Sequence, residues 1–159
     1  MCFYAASPDD DPDGAGRWRR TGTRLADFGY RQFGHTLGAL ARAEGFDLSV
    51  MDGYAGYCDA HGNTLPGSLA HPPPRGRSWD TVASPLRPLF DRFVDHFDDE
   101  PATFTPQEAA AMLPRLREIA ASTDWAAVTG LPHASHAMQD LLTVLAEAAE
   151  HGWHVAAYA

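Results

Sequence analysis

The densest group of side chains capable of chemistry is an acidic stretch at 95–100, with the letters DHFDDE, and one further acid just before it. Its members are Asp91, Asp95, His96, Asp98, Asp99 and Glu100. Carboxylates beside an imidazole are ligands for a divalent cation, and a dense negative surface attracts a basic protein. A third interpretation is a solvated turn ahead of the positive end of a helix predicted to begin at Thr105. The residues alone leave these three interpretations open.

Cys2 is the strongest candidate nucleophile. If Met1 is removed, an N-terminal cysteine can attack a carbonyl with its own α-amine as the base, as in amidohydrolases of the N-terminal-nucleophile type. No motif downstream supplies an oxyanion-stabilising partner. The alternative is a small, inert thiol inside a first strand. With Cys58 as the only other cysteine, no disulfide framework is indicated.

Two groups of residues are candidates for metal binding or catalysis. Zinc ligands could come from a Gly/Pro-rich stretch that contains Cys58, Asp59, His61 and His71. Their spacing matches no closed structural zinc site, so no metal and no cofactor is predicted. The second set flanks the predicted last helix, where histidine is usually structural, and consists of His133, His136, His151 and His154.

Composition narrows the function classes. The chain has 159 residues, 45% of them hydrophobic, which predicts one globular domain over 1–159. Twelve basic residues stand against 21 acidic ones, a formal charge of −9, and this balance disfavours nucleic acid as a partner. The apolar runs are too short to span a bilayer, and no leader pattern is present. We therefore expect a cytoplasmic protein with no membrane or nucleic-acid partner.

Three apolar stripes at helical spacing predict helices at about 28–44, 105–121 and 134–150. Asp27 is the predicted cap of the first helix. The second begins with a capping box from Thr105 to Glu108, with proline at its first position, and Pro114 predicts a kink within it. Gly152 is the predicted stop of the third helix.

The remaining segments predict a small sheet. The two chain ends, 1–6 and 153–159, indicate paired strands, and the basic cluster at 17–20 indicates a second strand in a loose hairpin. Residues 46–50 suggest a short strand, and 86–97 favour a helix with a strand as the alternative. The stretch at 52–84 predicts a long loop or insertion. Together these elements predict an α+β fold with three to four helices on a sheet that contains both terminal strands, and one long Gly/Pro-rich loop.

The order of these motifs resembles a family of small bacterial immunity proteins of polymorphic toxin systems. The opening MCFYAAS with its acidic loop and the run 25–29 (LADFG) entering a helix are similar to that family's first half. The stretch from His96 through the acids and Phe104 to Thr105-Pro106-Gln107-Glu108-Ala109 is similar to its most recognisable part. The family pattern has a strand around Phe93, where the periodicity of this chain predicts a helix.

The resemblance implies a non-catalytic cytoplasmic protein that binds and neutralises a cognate toxin. The partner-binding site is then the acidic surface, by which we mean Asp91, Asp95, His96, Asp98, Asp99 and Glu100, and the partner is a basic protein. The alternative is a small enzyme, either an amidohydrolase that uses Cys2 or a metal-dependent hydrolase. The oligomeric state and the identity of the toxin have no signal in the sequence.

Overall fold

A computed structural model describes residues 1–7, 20–45, 83–94, 102–130 and 132–158. In these ranges the chain forms four strands and five helices. They are β1 (Cys2–Ala6), β2 (Arg20–Asp27), α1 (Tyr30–Ala43), α2 (Arg87–Val94), β3 (Ala102–Phe104), α3 (Pro106–Ser122), α4 (Trp125–Thr129), α5 (Ala134–His151) and β4 (His154–Tyr158). The predicted α+β fold is confirmed.

The four strands form one antiparallel sheet in the order β2-β1-β4-β3. The two chain ends pair along their whole length, from Cys2 opposite Tyr158 to Ala6 opposite His154. The predicted pairing of the terminal strands is therefore confirmed. Its physical reason is that a short strand alone cannot satisfy its backbone groups or bury its apolar face.

The start of α1 corrects one prediction. Asp27 is the last residue of β2, opposite Cys2, and the N-cap of α1 is Gly29, which makes no side-chain cap bond. Phe28 N–H donates to the Met1 carbonyl at 2.9 Å, so strand-like pairing continues past Asp27. The predicted Asp27 cap is wrong because sheet pairing with β1 takes precedence over a local capping interaction.

One face of the sheet carries the core. Phe3 in β1, Phe104 in β3 and Val155 in β4 are almost completely buried. Phe3 lies 5.5 Å from Phe33 of α1 and 5.7 Å from Phe93 of α2, measured between ring centroids. Aromatic pairs at these distances add to the stabilisation from area burial, and they hold both helices against the sheet.

Two predicted helices have the expected ends. The Thr105 side chain accepts the Glu108 N–H and Glu108 returns to the Thr105 N–H, which closes the predicted capping box, and α3 continues through Pro114. At the other end of the chain, Gly152 adopts φ 70° and ends α5, a conformation that glycine adopts at little cost.

Other segments differ from the predictions or lie outside the described residues. Residues 87–94 are helical, as the periodicity predicted, and the strand alternative is wrong there. The strand β3 and the helix α4 have no counterpart among the predicted elements. The described part of the basic cluster, Arg20, begins β2. The predicted strand at 46–50, nearly all of the predicted loop at 52–84 and the cluster residues 17–19 lie outside the described residues.

Candidate functional site

Asp91 is the member of the acidic surface that the structure describes, and it lies on α2. The Ser84 hydroxyl accepts the Leu86 N–H at 3.0 Å just before this helix. One face of α2 is buried in the core, and the opposite face carries Asp91, whose carboxylate lies 3.3 Å from Nε of Arg87. The Asp91 side chain is 43% exposed, so the pair lies at the surface and has little effect on stability.

The other predicted site residues lie outside the described part of the chain. They are Asp95, His96, Asp98, Asp99 and Glu100. The structure does place the two elements that flank them, because α2 ends at Val94 and β3 begins at Ala102. The surroundings of the candidate site are therefore defined by Asp91 and by these two elements.

A charged contact that the sequence did not predict joins α2 to the start of α3. Arg92 Nη2 donates to both carboxylate oxygens of Glu108, at 2.8 and 3.0 Å. The guanidinium also lies over the Phe104 ring, 4.6 Å from its centroid, and Nη1 donates to the Pro88 carbonyl at 3.1 Å. We call the contact between Arg92 and Glu108 the Arg92–Glu108 clamp. It links α2 to the start of α3, and the ring contact adds β3.

Glu108 has two roles at this position. Its carboxylate accepts the Thr105 N–H at 2.8 Å, as the capping box requires, while it also binds Arg92. Partial burial disfavours the charged form, but the hydrogen bonds from Thr105 and Arg92 outweigh it, so the pKa of Glu108 is lowered. Glu108 is therefore ionised at neutral pH, and its charge is balanced by Arg92.

The geometry around Cys2 disfavours the nucleophile interpretation. Cys2 Sγ donates to Asp27 Oδ1 at 3.3 Å. Burial, this hydrogen bond and the Asp27 charge raise the pKa of the Cys2 thiol, and a protonated thiol is a poor nucleophile. The Met1 amine donates to the Phe28 carbonyl at 2.6 Å, so removal of Met1 would break part of the β1–β2 pairing.

The histidines of the described residues lie mainly at helix ends. His133 and His136 stack at the start of α5 with their ring centroids 5.9 Å apart, and His151 lies 4.4 Å from Trp153 at its end. Within the described ranges, no three His, Cys, Asp or Glu side chains come together as metal ligands. The group of Cys58, Asp59, His61 and His71 falls outside those ranges.

A shallow groove runs between α3 and α5, with a volume of about 400 Å³. Arg117 and Glu150 line it together with small side chains such as Ala120 and Ala146. Glu147, which also lines the groove, already accepts hydrogen bonds from the Thr23 N–H and hydroxyl of β2.

None of the helices in the described residues is long and apolar enough to cross a bilayer.

Comparisons with known protein families, with curated proteins and with solved structures found no match to this chain. The features of this chain that bear on its function are therefore its own residues. These are the acidic surface, the clamp beside it and the protonated thiol at Cys2.

Proposed function

We propose that this is a non-catalytic binding protein, an immunity protein that binds and neutralises a cognate toxin through its acidic surface. The surface consists of Asp91 and the stretch 95–100, and the partner is a basic protein. The motif order described above and the charge of −9 support this function.

The observation that carries the proposal is the pairing of Arg92 with Glu108. Arg92 is the cation next to Asp91 in the sequence and only three residues before Asp95. Because its Nη2 donates to both oxygens of the Glu108 carboxylate, its charge is already balanced within the protein. The positive charge of Arg92 is therefore offset by Glu108 and not by the acids of the surface, of which the described one, Asp91, forms an exposed pair with Arg87 that solvent screens.

The physical role of such a surface is electrostatic. Complementary charge mainly accelerates encounter and selects the partner, and it contributes less to the final affinity. A toxin that acts on nucleic acid needs a basic groove to hold phosphate, and carboxylates of an inhibitor can occupy that groove. This partner chemistry fits a strongly acidic protein better than a small neutral ligand would.

The test uses the product of the gene adjacent to this one, prepared as a catalytically inactive toxin domain. We expect it to co-purify with this protein. Replacing Asp98 and Asp99 with Lys should slow association at least tenfold at low salt and flatten its dependence on salt. The matched control replaces Glu118 and Glu150, exposed acids of α3 and α5, with Lys. It changes the net charge equally and should have a much smaller effect.

Two outcomes would contradict the proposal. One is an adjacent product that is no toxin and does not bind. The other is a complex whose association rate is the same after either pair of reversals, because the acidic stretch would then be only a solvated turn. The competing enzyme hypothesis predicts that Cys2→Ser abolishes an activity without unfolding the protein, and the raised thiol pKa disfavours it.

A further inference from the structure

We propose that two copies of this chain associate through the outer face of the sheet, with the strands of one copy antiparallel to those of the other. This self-association is separate from the proposed toxin binding and does not depend on it. Two features of the face carry it, which are opposite charges at its two ends and an exposed apolar side chain between them.

The outer face is the side of the sheet opposite the core. Helices α1 and α2 pack on the core side, where Phe33 and Phe93 contact Phe3 of β1. Side chains alternate between the two sides along a strand, so Tyr4, next to Phe3, belongs to the outer face. Residues that lie directly opposite each other on paired strands share a side. The register with β1 therefore adds Arg20, Leu25, Asp27 and Tyr158 to the outer face.

Strand β2 places opposite charges at the two ends of this face. Asp27 lies opposite Cys2 at one end of β1, and Arg20 lies opposite Ala6 at the other. Both charged residues are exposed. Because Cys2 and Ala6 are each two residues from Tyr4, the two charges lie at equal distances on either side of the Tyr4 row, about 13 Å apart along β1.

The middle of the face is apolar and aromatic. Leu25 lies opposite Tyr4, and it is the large apolar side chain that is exposed within the described ranges, to 41%. The Tyr4 ring stacks on the Tyr158 ring, with 5.6 Å between the centroids and 2° between the planes. An apolar centre with charged residues at its rim is the arrangement found in protein interfaces.

The arrangement is complementary to itself. A two-fold axis that crosses the strands at the Tyr4 row brings Asp27 of each copy onto Arg20 of the other and Leu25 onto Leu25. Both charge pairs form at once, as an isologous interface requires, and two sheets commonly pack face to face with nearly aligned strands. A uniformly basic partner would instead meet like charge at Arg20. The charges therefore favour a second copy over such a partner on this face.

Sedimentation velocity of the full chain at protein concentrations from about 5 to 200 µM tests the association. We expect a monomer–dimer equilibrium with a micromolar Kd, because one face of a small sheet makes a small interface. Leu25→Asp should leave the chain monomeric over this range. Arg20→Glu and Asp27→Lys each bring like charges together and should raise the dimer Kd at least about tenfold. The matched control, Glu118→Lys on exposed α3, changes the net charge as much as Asp27→Lys and should leave the dimer Kd nearly unchanged.

Mixing the two charge reversals gives the sharpest result. In an equimolar mixture of Arg20→Glu and Asp27→Lys, the introduced glutamate faces the introduced lysine, and the native Asp27 faces the native Arg20. The mixture should therefore dimerise about as well as the wild type, although each variant alone does not. A variant that failed to fold could not restore the dimer, so this recovery separates lost pairing from lost structure.

Three outcomes would overturn the self-association. They are a wild-type chain that stays monomeric up to the highest concentration, a dimer that Leu25→Asp leaves intact, and a mixture that remains monomeric. If the wild type is monomeric and Leu25→Asp weakens its binding to the inactive adjacent toxin, the outer face belongs to that partner, and toxin binding stands without self-association. A wild-type dimer that does not bind the toxin would overturn only the proposed function.

Discussion

Glu44 Oε1 accepts a hydrogen bond from Arg115 Nε at 2.6 Å and so joins the end of α1 to the middle of α3. The other Glu44 oxygen accepts from the Ser84 hydroxyl, just before α2. Only 7% of the Glu44 side chain is exposed. A largely buried carboxylate therefore joins α1, α3 and the segment before α2, and without it the Arg115 Nε–H and the Ser84 hydroxyl would each lose an acceptor.

Glu44→Ala should destabilise the protein by about 2 kcal/mol, because Ser84 and Arg115 lose a buried acceptor. The matched control is Glu118→Ala, which removes the second carboxylate of Arg115. Glu118 is 69% exposed, so its loss should cost less than about 0.5 kcal/mol. Urea unfolding measures both values, and equal costs for the two variants would contradict the role of Glu44.

Stability should fall in acid partly through Glu108. The pKa of Glu108 in the folded protein is lowered. The contribution of Glu108 to the free energy of unfolding is therefore fully present above its unfolded pKa of about 4.3, and it is lost as the pH falls through the folded pKa. The free energy of unfolding of the wild type should therefore exceed that of Glu108→Gln at pH 6, and the difference should shrink toward pH 3. A difference that stays constant over this range would show that the carboxylate charge does not matter.

Two glycines should respond to alanine in opposite directions. A Cβ at Gly22 would lie 2.9 Å from the Ala5 Cβ and 2.7 Å from a Glu147 oxygen, so Gly22→Ala should destabilise the protein by about 1–3 kcal/mol. At Gly38, inside α1, the nearest atom is an Arg42 nitrogen at 3.6 Å. Gly38→Ala should stabilise the protein by about 0.5–1 kcal/mol, because alanine loses less backbone freedom in a helix. Thermal melting decides both signs, and a stabilising Gly22→Ala would contradict the close approach of β2 and α5.

Cys2 should react slowly with electrophiles. In a Cys58→Ser background, the rate of iodoacetamide labelling should rise with pH only above the usual range for cysteine, because the pKa of Cys2 is raised. Asp27→Asn removes the neighbouring charge and should shift the labelling curve to lower pH. Rapid labelling of Cys2 at pH 7 in the Cys58→Ser background would reopen the nucleophile interpretation.

Local features of the sequence were sufficient to predict several elements. The capping box from Thr105 to Glu108 spans only four residues, so its chemistry and spacing can be recognised without tertiary structure. The apolar stripes predicted α1, α3 and α5 to within two residues at each end. The periodicity of 86–97 also placed Asp91 on the outward side of α2, where the structure shows a substantially exposed side chain.

Tertiary structure decided the features that depend on distant partners. Asp27 has a capping residue's chemistry, yet pairing with Cys2 makes it the end of a strand. The three residues of β3 are too few for a recognisable pattern and form a strand because β4 supplies the ladder. Arg92 and Glu108 are 16 residues apart, and Glu44 and Arg115 are 71 apart. The sequence determined which charges are present, but only the fold determined which of them pair, because those contacts depend on where the elements pack.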